Sequence, residues 1–238
     1  DEPAPDEWPQ IGRLIARMHA VGARRAPRDR IRLHPRASAQ QHLDFILQAG
    51  VVAPAYRTAY SDLVRTILDE IAPLFDDVET FRIHGDCHLG NLLHGSEGWF
   101  FLDFDDFLSG PAVQDVWMLV PARDREGLRQ REVFLEAYRQ FRDFDSSWLR
   151  LVEPLRALRY IRYAAWIAQR WDDPAFPAAF PHFGTEEYWE KETADLEEQL
   201  EFIHTRTNDL PEGVRRQEQP EEEKKELTNK DFFWDWEG

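Results

Sequence analysis

Between residues 80 and 104 the apolar pattern of the chain changes its period. On either side, apolar residues recur every three to four positions, as on one face of a helix. Within it, Thr80-Phe81-Arg82-Ile83-His84 and Trp99-Phe100-Phe101-Leu102-Asp103-Phe104 are compact β-prone runs. Asn91-Leu92-Leu93-His94 and a Gly95-Ser96-Glu97-Gly98 turn lie between them, so the second run closes a small hairpin with loops at both ends. One short β episode among helices, in a chain of 238 residues, predicts an α+β fold that is predominantly α.

The spacing predicts helices over 8–23, 38–49, 55–75, about 113–121, 125–141, 147–171 and 185–204. In the first, Ile11, Leu14, Ile15, Met18 and Val21 share a face, Pro9 suits the first turn and Gly22 lies near the end. Pro54 and then Pro174, Pro177 and Pro181 interrupt the pattern. The folded domain is therefore expected over 1–204. Residues 205–238 form an acidic tail rich in Glu, Pro, Gln and Lys, expected to be disordered or loosely docked. It ends in Asp231-Phe-Phe-Trp-Asp-Trp-Glu-Gly238, which reads either as a segment that packs on its own domain or as a docking peptide for a partner.

A hydrophobic content of 42% is enough for a real core. No apolar stretch approaches the roughly 18 residues of a membrane span, and the acidic N-terminus lacks the order of a signal peptide. Cys87 is the single cysteine, which excludes an intrachain disulfide or a cysteine-built zinc site. These features lead to the expectation of a soluble, cytoplasmic monomer with no membrane partner. The net charge is −16, and residues 186–238 alone hold 18 acidic against 7 basic side chains. Nucleic acid is therefore not an expected partner, because neutralising phosphates needs a basic surface.

The chemistry concentrates in His84-Gly85-Asp86-Cys87-His88-Leu89-Gly90-Asn91, a glycine-containing loop just after a strand, and in Asp103 at the close of the next strand. Phosphoryl transfer needs a carboxylate near the incoming hydroxyl and hard oxygen ligands for Mg²⁺. An Asp and an Asn five residues apart, with a second Asp on an adjacent loop, provide them. As structural alternatives, Asp86 would be a loop cap, Asp105 and Asp106 solvated turn acids, and His88 a satisfied structural histidine. Cys87 reads as a small packed residue, since no base partners it. Arg156, Arg159 and Arg162 recur every third residue on one helix and read as a row paired with surface acids, with recognition of an acidic or phosphorylated substrate as the other reading.

The pattern His-Gly-Asp-x-His-x-x-Asn followed by a strand ending Leu102-Asp103-Phe104 resembles the catalytic core of the superfamily that includes aminoglycoside phosphotransferases, choline kinases and, more distantly, eukaryotic-type protein kinases. Arg82-Ile-His-Gly-Asp-Cys-His-Leu-Gly-Asn91, Leu102-Asp-Phe-Asp-Asp106, Gly110-Pro-Ala-Val-Gln-Asp-Val-Trp-Met-Leu119 and Trp171-Asp-Asp-Pro-Ala-Phe-Pro177 resemble, within it, the bacterial stress-response serine/threonine kinases, over about residues 8–203. The resemblance implies the C-terminal lobe of a kinase-like fold and transfer from ATP to Ser/Thr hydroxyls of a protein substrate. It assigns Asp86 as catalytic base, Asn91 and Asp103 as Mg²⁺ ligands with Asp103 also catalytic, Leu93 to the floor beneath adenine, and His88 to the neighbourhood of the γ-phosphate. His84 and Asp115 take supporting roles. Such kinases also use an N-terminal lobe with a phosphate-gripping lysine. All four lysines here lie at 191 or beyond and no Gly-x-Gly occurs, so that lobe is expected to be absent and the isolated chain weakly active. A small-molecule kinase acting on amino alcohols or aminoglycosides, and a non-catalytic binding module, are the alternative readings.

Overall fold

The computed structural model describes residues 3–25 and 30–206. They fall into two compact units, one built from the described residues up to Leu33 together with Val78–Leu149, the other from His34–Asp77 together with 150–206.

In the first unit, helix α1 (Trp8–Gly22) begins with Pro9 in its first turn, where the missing N–H costs nothing. Its buried face is Trp8, Ile11, Gly12, Ile15, Ala16, His19 and Gly22, and it packs on α5 (Arg125–Tyr138). Val21, expected on the apolar face, is exposed, and His19 takes the buried position one helical turn after Ile15. The approach to α5 is close at Gly12, where a Cβ would stand 2.4 Å from the Phe134 carbonyl oxygen.

The β region holds two separate antiparallel pairs, where the sequence led to the expectation of one small sheet. Strand β2 (Leu92–Gly95) pairs with β3 (Gly98–Phe101) as the predicted hairpin, registering Leu93 with Phe100 and His94 with Trp99. Strand β1 (Phe81–Ile83) pairs instead with β4 (Leu108–Gly110), a strand absent from the prediction. Ser109 also bridges to Arg32 in parallel, held by Leu33 N–H to Ser109 O at 2.8 Å and Ser109 N–H to Ile31 O at 2.9 Å. Helix α4 (Val113–Leu119), buried along its whole length, follows at once.

In the second unit α2 (Gln40–Ala49), α3 (Arg57–Ile71), α6 (Val152–Gln169) and α8 (Glu186–Arg206) pack together, with a short α7 (Ala175–Ala179) in the proline-rich connection. Leu43, Ile46, Val64, Ile67, Leu158, Ile161 and Leu196 fill the core, and Trp189 donates its indole N–H to Val51 O at 2.7 Å. Helix α6 is buried from Val152 to Ile161 without interruption. That overturns the reading of a surface arginine row: Arg156 and Arg159 are buried. Arg156 Nε lies 3.5 Å from Glu153 Oε2, which also accepts from Gln199 Nε2 at 2.9 Å. A helix packed on most sides carries no polar face, so its charges are paired inside. The tail from 207 lies outside the described residues.

Candidate active site

Strand β1 delivers the chain into a loop whose backbone is fixed from below. The carboxylate of Asp115, fully buried on α4, accepts the His84 N–H at 2.8 Å through Oδ2 and the Gly85 N–H at 2.8 Å through Oδ1. His19 Nε2 also meets Asp115 Oδ2 at 2.9 Å, and its Nδ1 is 2.9 Å from the Tyr138 hydroxyl. A chain of groups from α5 through α1 and α4 thus ends on the loop's own amides. Gln114 adds its Nε2–H to Gly85 O at 3.1 Å and is itself held by the Trp117 indole N–H at 3.0 Å. Gly85 takes φ +87°, and a Cβ there would be 2.8 Å from Asp106 O, so this turn admits only glycine without displacement.

Asp86 follows, its side chain 15% exposed. His88 Nδ1 accepts the Gly90 N–H at 3.0 Å. An amide N–H can only donate, so in the neutral ring the proton is on Nε2, which faces Asp86 Oδ2 at 3.4 Å. The Asn91 Nδ2 at 3.3 Å from that same ring nitrogen is then a close neighbour rather than a donor to it. Nδ2 donates to Asp86 O at 2.9 Å, which fixes the amide's orientation and leaves Oδ1 accepting no hydrogen bond among the described residues.

Asn91 and Asp103 are brought to neighbouring backbone positions by the hairpin: the Leu102 N–H donates to Asn91 O at 2.8 Å, continuing the Leu92–Phe101 pairing by one residue. Asp103 is exposed, and among the described residues it alone, glycine aside, has positive φ, at 55°. Asp tolerates this left-handed conformation at a cost of about 1 kcal/mol, and it ends the strand before Phe104, where the sequence pattern had continued it. Its carboxylate accepts only a long contact from Asp105 N–H at 3.5 Å. His84 braces the same corner, with Nε2 2.8 Å from Leu102 O and its ring against Phe101 and Phe104.

The donor set suits a hard divalent cation. One amide oxygen without a hydrogen bond and one exposed carboxylate with a single long one can be completed by phosphate oxygens and water. Among the described residues no three His, Cys, Asp or Glu side chains converge on a metal position. Leu93 is 51% exposed beside Phe100, an apolar cross-strand pair open on one face of the hairpin. Cys87 is buried, and burial first, then the charges of Asp115 and Asp86, pushes its thiol pKa well up. It therefore stays a protonated packing residue. Asp105 and Asp106 are exposed. His19 and Tyr138 were not singled out from sequence, although the place of His19 four residues after Ile15 was a usable signal for a buried polar group.

A model of the phosphotransferase enzyme family, APH, matches residues 1–152. The chain belongs to this phosphotransferase family. Stress response kinase A of Escherichia coli strain K12 is 38% identical over 207 residues, covering 83% of this chain and 60% of its own length. The serine/threonine protein kinase RdoA of Salmonella typhimurium is 35% identical over 204 residues, covering 84% and 61%. The chain thus spans about three fifths of the length of the curated relatives it matches. The phosphotransferase fold is seen again in amicoumacin kinase hAmiN, solved in complex with AMP-PNP, Ca²⁺ and Ami. It superposes with a TM-score of 0.56 at 19% identity, over 79% of this chain and 59% of that one. Among the described residues no helix is long and apolar enough to cross a membrane.

Proposed function

We propose that this phosphotransferase chain carries the catalytic and metal-holding residues of an ATP- and Mg²⁺-dependent kinase acting on Ser/Thr hydroxyls of proteins. The observation that carries the reading is the loop pair itself. The turn before Asp86 is clamped through the Asp115 network, while Asn91 Oδ1 accepts no hydrogen bond among the described residues and the exposed Asp103 carboxylate accepts only the long contact from Asp105 N–H. Asp86 would orient the acceptor hydroxyl and take its proton as the acceptor oxygen bonds to the γ-phosphorus of ATP and the bond from that phosphorus to the bridging oxygen breaks, releasing ADP. His88 faces the Asp86 carboxylate through Nε2–H and would lie near the γ-phosphate. Asn91 and Asp103 would hold Mg²⁺, which when bound neutralises charge on the phosphate oxygens. Leu93 and Phe100 offer an apolar surface to the adenine ring.

The protein acceptor rests on two observations. The relatives named above are a stress response kinase and a serine/threonine protein kinase. The aromatic cluster of the second unit, where a small cationic substrate would have been expected to bind, is already capped by a cation: Arg170 lies 4.9 Å from the Trp166 ring and 6.0 Å from Phe176. Residues 1–190 contain no lysine to grip the α- and β-phosphates, so turnover by this chain alone should be slow.

With γ-labelled ATP and Mg²⁺, the chain should label casein-type proteins slowly and leave a panel of amino alcohols unlabelled. Asp86→Asn should lower the rate by about 10²- to 10⁴-fold with an unchanged melting curve. Mn²⁺ binding followed by electron paramagnetic resonance should weaken in Asp103→Asn and Asn91→Ala. Preferential labelling of an amino alcohol, or full activity in Asp86→Asn, would overturn the assignment.

A further inference from the structure

The sheet β1–β4 has a second, outward face. Arg82 pairs with Ser109 across the antiparallel ladder and Arg32 bridges to Ser109 from the other side, so the three side chains form one row. Phe81, Ile83, Leu108 and Gly110 take the opposite, buried face. Phe107 extends the outward face, with the Arg30 guanidinium 3.8 Å and the Arg82 guanidinium 5.6 Å from its ring. Arg30, Arg32 and Arg82 are exposed, and among the described residues none of them meets an acid. Arg36, Arg65, Arg129 and Arg142 all do. In a chain with 45 acidic and 29 basic residues, three adjacent arginines that meet no acid among the described residues are unexpected, and like charges on neighbouring strands repel.

We infer that this Arg30–Arg32–Arg82–Phe107 face is the docking surface for the chain's own terminal segment Asp231–Glu237. That segment alternates what the face lacks: the carboxylates of Asp231, Asp235 and Glu237 with the rings of Phe232, Phe233, Trp234 and Trp236. Planar guanidinium groups accept both partners, bidentate carboxylates at the edge and aromatic rings on the face. Residues 207–230, which would span about 80 Å when fully extended, separate the segment from α8. The face is continuous with the loop that holds Asp103, because Arg30 also donates to Asp105 O at 3.4 Å. The inference stands on charge and ring chemistry and is independent of the phosphoryl-transfer reading.

The test uses the full chain and a fluorescent peptide of residues 226–238, with binding read by anisotropy. Phe232→Ala/Phe233→Ala/Trp234→Ala/Trp236→Ala in the chain empties the face and should give saturable peptide binding that weakens as salt rises. The wild-type chain, whose own tail competes, should bind the peptide about tenfold more weakly, a difference of about 1.4 kcal/mol. Adding Arg30→Glu/Arg32→Glu/Arg82→Glu to the tail variant should abolish binding, with Arg→Gln replacements at the same positions as the folded alternative. Equal binding to wild type and tail variant, equal binding of a scrambled peptide, or binding that survives the arginine changes would each overturn the inference. A wild-type chain that sediments as a dimer and becomes a monomer when the four aromatic residues of the tail are replaced would assign the contact to a second copy and overturn docking within one chain.

Discussion

Asp86, Asn91 and Asp103 could be singled out from sequence because they fall in one short motif and at the end of the next strand, the pattern on which the family resemblance rests. What holds them could not. Asp115 was legible as a support only through the resemblance, its partner His19 lies 96 positions away, and Tyr138 lies 119 positions from the His19 that it meets. The network makes a graded prediction. Asp115→Asn would turn an NH₂ group toward a set of donors, His84 N–H, Gly85 N–H and His19, leaving at least one buried donor without an acceptor. Urea unfolding should show a loss of about 2–4 kcal/mol. Tyr138→Phe removes one hydrogen bond from the far side of His19 and should cost about 1 kcal/mol. Equal losses in the two variants would mean that the loop does not depend on the Asp115 carboxylate.

Among the elements, the longer helices and the hairpin were visible because each carries its own periodicity, while β4 was not. Leu108-Ser-Gly110 is three residues long, runs into Pro111 and pairs with a strand 27 positions earlier, so nothing local announces it. The π-helical turn Pro35–Ala39 and helix α7, with Pro177 inside it, escaped for the same reason: tertiary packing sets them against local propensity. The arginine row failed differently. Spacing located Arg156 and Arg159 on a helix but could not say that the helix is surrounded. The element carrying Asp86 can be probed by comparing two glycines. Gly85 and Gly98 both have positive φ, but a Cβ meets Asp106 O and Leu108 at Gly85 and nothing within 4 Å at Gly98. Gly98→Ala should cost about 1 kcal/mol from conformation alone. Gly85→Ala should cost at least twice that, and because the displaced turn carries Asp86 it should also lower phosphotransfer.

At the scale of the whole molecule, charge is the dominant bias, and stability should respond to acid through groups held neutral inside. His42, on α2, is the clearest: burial, and then the Arg162 charge, lower its pKa from 6.5 to about 4. In the unfolded chain His42 takes up a proton as pH falls through 6.5, whereas in the folded chain it resists until about 4. Between those values the unfolded state binds more protons, so this contribution to stability is complete above pH 6.5 and is lost progressively on acidification toward 4. His42→Gln removes the proton and keeps a polar side chain of similar reach. Its melting temperature relative to wild type should therefore rise steadily as the pH is lowered from 7 to 4.5, even if it starts lower at neutral pH through lost packing. Calorimetry at four or five pH values separates this from the carboxylates, whose protonation affects both proteins alike. A difference between the two proteins that stays flat across the range would mean that His42 ionises in the folded state as it does in the unfolded chain.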